Sequence, residues 1–259
     1  MVKLAGTLVL VGAGKMGSAM LEGWLKGGAE ASKIVALAPA PPRETQELAL
    51  RAGVKLNPDP ATITDAEVVV IAVKPQLMEE VLPGISGLKA SQPLIVSVAA
   101  GKTIASFERH FGADAAGIRS MPNTPAAVGR GITAMAANRN VSPAQTVLAQ
   151  ALLSAVGEVV TVPDEAMIDA VTAVSGSGPA YVFYLTECLA VAGEKAGLPK
   201  ELAVQLARAT VAGSGELMRQ SGIDAATLRQ NVTSPKGTTF AALEGRDGLA
   251  RRHRHDQRL

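Results

Sequence analysis

The chain has 259 residues, 47% hydrophobic and only 3% aromatic, so one large or two modest domains would have a core of Ala, Val, Leu and Ile. Its formal net charge of +2 is uneven: residues 245–259 hold five Arg and two Asp, a local +3 that leaves the remaining chain at −1 and without the basic bias expected for nucleic acid. Apolar runs such as Val68–Val73 are too short to cross a bilayer, and a lone cysteine, Cys188, excludes an internal disulfide and favours a reducing cytoplasm.

Met1–Gly6 leads straight into the first strand, which is expected to leave no room for a cleavable signal segment. Thr7–Val11 is an apolar run of the kind buried on both faces of a parallel sheet. Gly12, Gly14 and Gly17 follow with the spacing G-x-G-x-x-G, and a helical apolar pattern continues through Ala19, Met20 and Trp24. In a strand–turn–helix context Gly12 permits the tight turn, Gly14 lets the backbone approach a pyrophosphate, and Gly17 allows close helix–strand packing. Free N–H groups and the helix dipole then hold the anion.

Lys33–Ala38 is the second expected strand, and its carboxyl end is where an acidic residue would grip the ribose of NAD. The chain places Ala38-Pro-Ala-Pro-Pro-Arg43 there instead. Without a carboxylate, and with Arg43 close by, a ribose 2′-phosphate is tolerated, so NADP is expected ahead of NAD. A helix over Glu44–Ala52 with a stop at Gly53, a short strand at Val54–Leu56 and a central strand at Glu67–Val73 come next. The last of these ends in Lys74-Pro-Gln76, where proline permits a first helical turn and forbids further ladder pairing.

Pro93–Ala99 and Gly117–Met121 are further strands around a helix at Ile104–His110. Alternating strands and helices predict a doubly wound parallel α/β sheet, with ligands outside the strands' carboxyl ends. In Arg119-Ser-Met-Pro-Asn-Thr-Pro125 two prolines flank Asn123 and Thr124 and leave two short polar side chains facing the crevice. Gly131–Ala137, a helix at Ala144–Ala155 capped by Ser142, and a last strand at Glu158–Val162 complete a domain spanning 1–162.

From 163 to 259 the pattern is helical: Glu165–Val174, a long helix opened by Ser175-Gly-Ser-Gly-Pro-Ala-Tyr181 and running to Ala196, a break at Gly197-Leu-Pro199, and Lys200–Arg219. Small residues at interface spacing (Ala190, Gly193; Ala212, Gly213) and apolar character on more than one side predict burial against a second copy. The tail, 245–259, offers no apolar face and is expected to be poorly ordered.

Few side chains suit acid–base or metal chemistry. His110 lies between Arg109 and Phe111 in a helix, His253 and His255 fall in the tail, and Cys188 sits among Leu and Ala as a small core residue; no metal is expected. Thr233-Ser-Pro-Lys-Gly-Thr-Thr239 remains, with Ser234 as a helix cap, Pro235 at the first helical position and free N–H groups beyond, an arrangement that holds a small carboxylate.

These residues together resemble the pyrroline-5-carboxylate reductase family. The resemblance rests on Gly12-x-Gly14-x-Met16-Gly17-x-Ala19-Met20, Ala72-Val-Lys-Pro-Gln76, Met121-Pro-Asn-Thr-Pro125, Ser175-Gly-Ser-Gly-Pro-Ala-Tyr181, Gly197-Leu-Pro199 and the loop 234–239, in family order over residues 7 to 243. It implies a Rossmann domain followed by an all-α dimerisation domain, a homodimer often assembled into pentamers of dimers, and reduction of 1-pyrroline-5-carboxylate to L-proline by hydride from NAD(P)H. The cofactor positions it implies are Gly12, Gly14, Lys15, Met16, Gly17, Arg43, Ala72, Val73, Lys74, Pro75 and Asn123. Ser234 and the backbone around Gly237 and Thr238 would hold the substrate carboxylate, and Thr239 would hydrogen-bond the ring nitrogen. An imine is easily protonated and already electrophilic, so positioning and anion binding can carry most of the catalysis.

The chain departs from the family in two places. Lys236 stands where the family has the first of two glycines, and after Leu243 a basic stretch replaces an apolar helix. If position 236 needs a positive φ, a lysine there costs about 1–2 kcal/mol. A related imine or β-hydroxyacid reductase is the enzymatic alternative; the latter needs a catalytic lysine early in the long helix, and Lys195 lies at its far end. A dinucleotide-binding protein with impaired turnover is the third reading.

Overall fold

Runs of Val, Ile and Leu form the strands, because branched side chains fit a pleated, buried surface. In the computed structural model, which describes residues 3–243, these are β1 (Thr7–Val11), β2 (Ile34–Leu37), β3 (Lys55–Leu56), β4 (Ala66–Ile71), β5 (Leu94–Ser97), β6 (Gly117–Met121), β7 (Gly131–Ala137) and β8 (Gly157–Thr161). They join in one sheet of order β3-β2-β1-β4-β5-β6-β7-β8. β1 to β6 are parallel, in the order of a dinucleotide-binding fold with its switch point between β1 and β4.

The expectation of a wholly parallel sheet fails at one joint, where β7 runs antiparallel to β6. Residues 122–130 alone separate the two strands, fewer than the dozen or so that a parallel crossover needs. The helices of this part are α1 (Lys15–Lys26), α2 (Arg43–Ala52), α3 (Met78–Ile85), α4 (Ile104–Phe111) and α5 (Pro143–Leu153). Ser142 caps α5 as expected, in a reciprocal capping box with Gln145. Beyond the first turn that Pro75 permits, α3 had not been anticipated.

Successive strand residues face opposite layers. Leu8, Leu10, Val68 and Val70 pack with Met20, Leu21 and Trp24 of α1 and with Leu152 and Leu153 of α5. Val9, Val11, Val69 and Ile71 pack with Met78 and Leu82 of α3 and Phe107 of α4. The buried Trp24 indole donates to the Leu152 carbonyl at 2.8 Å, which satisfies its polar edge and ties α1 to α5.

The helix expected at Glu165–Val174 is shorter: α6 (Met167–Val171) passes into a π-helical turn, Thr172–Gly176, where the Ser177 N–H reaches the Thr172 carbonyl at 2.8 Å. The last strand ends just before Pro163, but the chain divides into two compact units later, between Tyr181 and Val182. Ile168 of α6 is buried with Ala134 and Ala136 of β7, which keeps this segment with the sheet.

The second unit contains α7 (Gly178–Lys195) from Val182 onward, α8 (Lys200–Ser221), α9 (Ala225–Asn231) and a helical segment over 238–243. Gly197 ends α7 at φ +97°, with the Leu198 N–H bonded to the Gly193 carbonyl and the Gly197 N–H to that of Glu194, a Schellman stop. Ala190 and Gly193 serve a contact inside the chain: Ala190, Ala203 and Ala207 are buried, and a methyl placed on Gly193 would lie 3.1 Å from the Ala203 Cβ. Gly213 faces open space. Phe183, Tyr184, Leu185, Leu189, Leu202 and Leu206 are exposed. So is Cys188, against the expectation of a core residue: it lies on α7 beside the exposed Tyr184, Leu185 and Leu189 and not on the face that carries the buried Ala190. No helix among the described residues is long and apolar enough to cross a membrane. The expectation for the tail, 245–259, lies outside the described residues.

Candidate functional site

The glycine turn takes its form from the end of β1. Gly12 has φ +93°, and a side chain there would lie 2.8 Å from Val73 and 2.9 Å from the Ala72 backbone. A side chain on Gly17 would collide with the Gly12 carbonyl. Gly14 is different: its φ is −74° and nothing lies within 4 Å of the position a side chain would take. Fold geometry thus demands glycine at 12 and 17, whereas position 14 keeps space clear outside the protein.

Gly14 begins α1 without a side-chain cap, and no acidic residue sits in the first turn. The first intrahelical bond runs from Ser18 N–H to the Gly14 carbonyl at 2.8 Å. The N–H groups of Lys15, Met16 and Gly17 are therefore left for an anion.

A cleft of roughly 770 Å³ opens beside this turn. It is lined by Gly12, Gly14, the loop 38–42, Ala72, Val73 and Lys74, with Glu80 and Val81 of α3 on its far side. Pro75 follows as the first residue of a 3-10 turn. Asn57, held at φ +47°, accepts from the Ala38 N–H at 2.6 Å and donates to the Ala38 carbonyl at 2.9 Å. Pro39, Pro41 and Pro42 offer no N–H, so the loop after β2 has neither a carboxylate nor many donors for a ribose. Arg43 opens α2, pairs with Glu47 at 2.8 Å and is 90% exposed.

Asn123, at the turn after β6, uses both ends of its amide. Its Oδ1 accepts from the Ile132 N–H at 2.9 Å and its Nδ2 donates to the Ser175 carbonyl at 3.2 Å. One donor hydrogen and one lone pair remain.

Sequence reasoning missed Arg119. Its guanidinium, 5% exposed in β6, donates to Asp169 at 2.8 Å and lies 3.5 Å from Glu165. A basic residue inside an apolar strand, with two acids four apart downstream, was the available signal. The packing of α3 on α4 also places His110 Nε2 3.5 Å from a Glu79 carboxylate, a proximity invisible in sequence because it joins two helices.

In the second unit the loop 234–239 differs from the expected cap. The Gly237 N–H bonds the Ser234 carbonyl at 3.0 Å, with Pro235 and Lys236 between them and Lys236 at φ +62°. Proline followed by a positive φ is the pattern of a type II turn. The helix starts after it, at 238, with the Ala241 N–H bonded to the Gly237 carbonyl at 3.1 Å. Ser234 thus opens a turn instead of capping the helix, and Gly237 uses its own N–H there. Thr238 and Thr239 stand at the helix start, where N–H groups lack intrahelical partners.

A Rossmann sheet with an open glycine turn, joined to a helical unit with exposed apolar faces, defines a two-domain nicotinamide-dinucleotide oxidoreductase. Residues 7–101 match the family model described as NADP oxidoreductase, coenzyme F420-dependent, and residues 165–249 that described as pyrroline-5-carboxylate reductase dimerisation. Pyrroline-5-carboxylate reductase of Pseudomonas aeruginosa is 41% identical over 237 residues, 92% of this chain and 87% of the relative. The solved pyrroline-5-carboxylate reductase of Coxiella burnetii superposes with a TM-score of 0.87 at 32% identity, covering 96% of this chain and 93% of that one. Plasmodium falciparum pyrroline carboxylate reductase, solved with NADP bound, gives a TM-score of 0.79 at 28% identity, over 96% and 92%. This chain belongs to the pyrroline-5-carboxylate reductase family.

Proposed function

We propose that the chain reduces 1-pyrroline-5-carboxylate to L-proline with NADPH as a homodimer in the cytoplasm, and that dimers assemble further into pentamers of dimers. The observation that carries this reading is the open helix terminus at Gly14–Gly17, beside a cleft whose ribose end lacks a carboxylate, in a chain of this family. NADPH supplies a hydride from its nicotinamide C4 to the C5 carbon of the protonated imine, whose nitrogen becomes the amine of proline. Lys15, Met16 and Gly17 offer backbone N–H groups to the pyrophosphate. Ala72, Val73, Lys74 and Pro75 border it, and Asn123 braces the turn after β6. Residues 163–259 act as the dimerisation and substrate part. There Ser234 and the N–H groups of Thr238 and Thr239 hold the carboxylate, and the Thr239 hydroxyl hydrogen-bonds the ring nitrogen. Arg43 favours the 2′-phosphate.

A second reading, cofactor binding with impaired turnover, draws support from Lys236, whose φ of +62° burdens the substrate turn. NADPH oxidation with pyrroline-5-carboxylate, measured beside NADPH affinity, separates the two. Turnover supports the first reading, and binding without turnover selects the second.

A further inference from the structure

The buried Arg119 has no part in the chemistry just described. Burying a guanidinium is costly, and an apolar side chain in its place often gives an equally stable core. Stability alone is therefore a weak account of it, and its partners suggest another.

Both of its carboxylates belong to one segment. Asp169 of α6 accepts from Arg119 Nη2 at 2.8 Å, while Glu165 Oε1 lies 3.5 Å from Nη1. The same Glu165 oxygen accepts the first N–H of α4, from Ile104, at 2.7 Å, where Thr103 provides no side-chain cap. Four residues beyond Arg119, Asn123 donates to the Ser175 carbonyl. β6 and its following turn therefore grip the segment 165–175 at both ends. The second grip falls on the π-helical turn Thr172–Gly176, an irregularity frequent at functional sites. Met121, the last residue of β6, abuts the turn, since a methyl on Gly176 would lie 2.7 Å from the Met121 Cε. The turn is thus fixed at the carboxyl end of β6, the edge along which a doubly wound sheet receives its ligand.

We propose that Arg119 is a positioning residue: through Asp169 and Glu165 it sets the π-helical turn at the carboxyl end of β6, and so the wall against which the nicotinamide ring is aligned for hydride transfer. It touches neither cofactor nor substrate. The proposal rests on the reductase reading above.

Asp169→Asn is the first test, because the Asp169 side chain is 78% exposed, the amide oxygen can still accept from Arg119 Nη2, and Glu165 remains as a counter-charge to the buried guanidinium. The expected result is a kcat lower by roughly tenfold or more, since small misplacements of reacting atoms are expensive, with the Km for NADPH within about twofold even though the weakened pairing of Arg119 lowers the melting temperature. With NADPH deuterated at the transferred position, the isotope effect on kcat rises, because hydride transfer becomes the slow step. Glu165→Gln, with a similar but smaller effect, guards against a folding defect in the first variant. Unchanged kcat in both variants, or parallel loss of kcat, NADPH affinity and melting temperature, overturns the proposal while leaving the reductase reading intact. A wild-type chain that binds NADPH but never oxidises it with pyrroline-5-carboxylate overturns both.

Discussion

Replacing Lys236 with glycine removes a side chain from a left-handed backbone position inside the proposed substrate turn. At φ +62° an L-residue is disfavoured by about 1–2 kcal/mol, and that penalty lowers the population of the Ser234–Gly237 turn. Glycine brings its own freedom in the open loop, which returns about 0.5–1 kcal/mol. The net gain is about 0.5–1 kcal/mol, a two- to fivefold increase in the competent fraction, and apparent affinity scales with that fraction. Lys236→Gly should lower the Km for pyrroline-5-carboxylate by about that factor, with NADPH affinity unchanged. Steady-state kinetics at saturating NADPH, paired with a fluorescence titration of NADPH, read both quantities. Lys236→Gln separates strain from charge, because it keeps the strain and loses the cation. A higher Km in both variants would show that the lysine charge attracts the carboxylate, and an unchanged Km in Lys236→Gly would refute the strain argument.

The remaining predictions concern the cofactor cleft and one helix end. Gly14→Val should abolish NADPH binding while leaving the melting temperature nearly unchanged, since a Cβ at this position meets open space; retained affinity in a titration would remove the pyrophosphate assignment. Arg43→Glu should weaken NADPH several-fold more than NADH, because a carboxylate repels the 2′-phosphate and suits a free ribose; equal weakening of both would leave Arg43 as a solvated helix residue paired with Glu47. Asp224 caps α9, and the Thr227 hydroxyl, with the N–H groups of Thr227 and Ala226, holds its carboxyl below the ordinary carboxylate range. Its stabilisation is therefore complete above the ordinary pKa and fades as pH falls through the depressed one. Hydrogen-exchange protection at α9, taken relative to the intrinsic rate at each pH, should fall over that acid range in the wild type and show no such step in Asp224→Asn.

The sequence by itself determined what depends on neighbours along the chain. Thr7–Val11, Gly117–Met121 and Gly131–Ala137 form strands with the expected bounds, because short segments with sharp Gly or polar limits leave little choice. The reasons for Gly12, Gly14 and Gly17 were equally local: a backbone torsion, an open space and a close approach. Lys236 was suspect because the family it resembles has a glycine there, and the position does have a positive φ, +62°.

What the tertiary structure decided are relations between distant segments. The reversal at β7 follows from too short a connection, yet periodicity cannot show direction, since parallel and antiparallel strands bury the same side chains. Ala190 and Gly193 read as a surface for a second copy, but α8 turns back onto them. The Ser234 cap failed because a proline next to a left-handed residue makes a turn before the helix can begin. Arg119 and its acids, 46 and 50 residues apart, meet only when α6 packs back on the sheet. Local torsions and periodicity are written in consecutive residues, whereas charge pairing across layers exists only once the layers have packed.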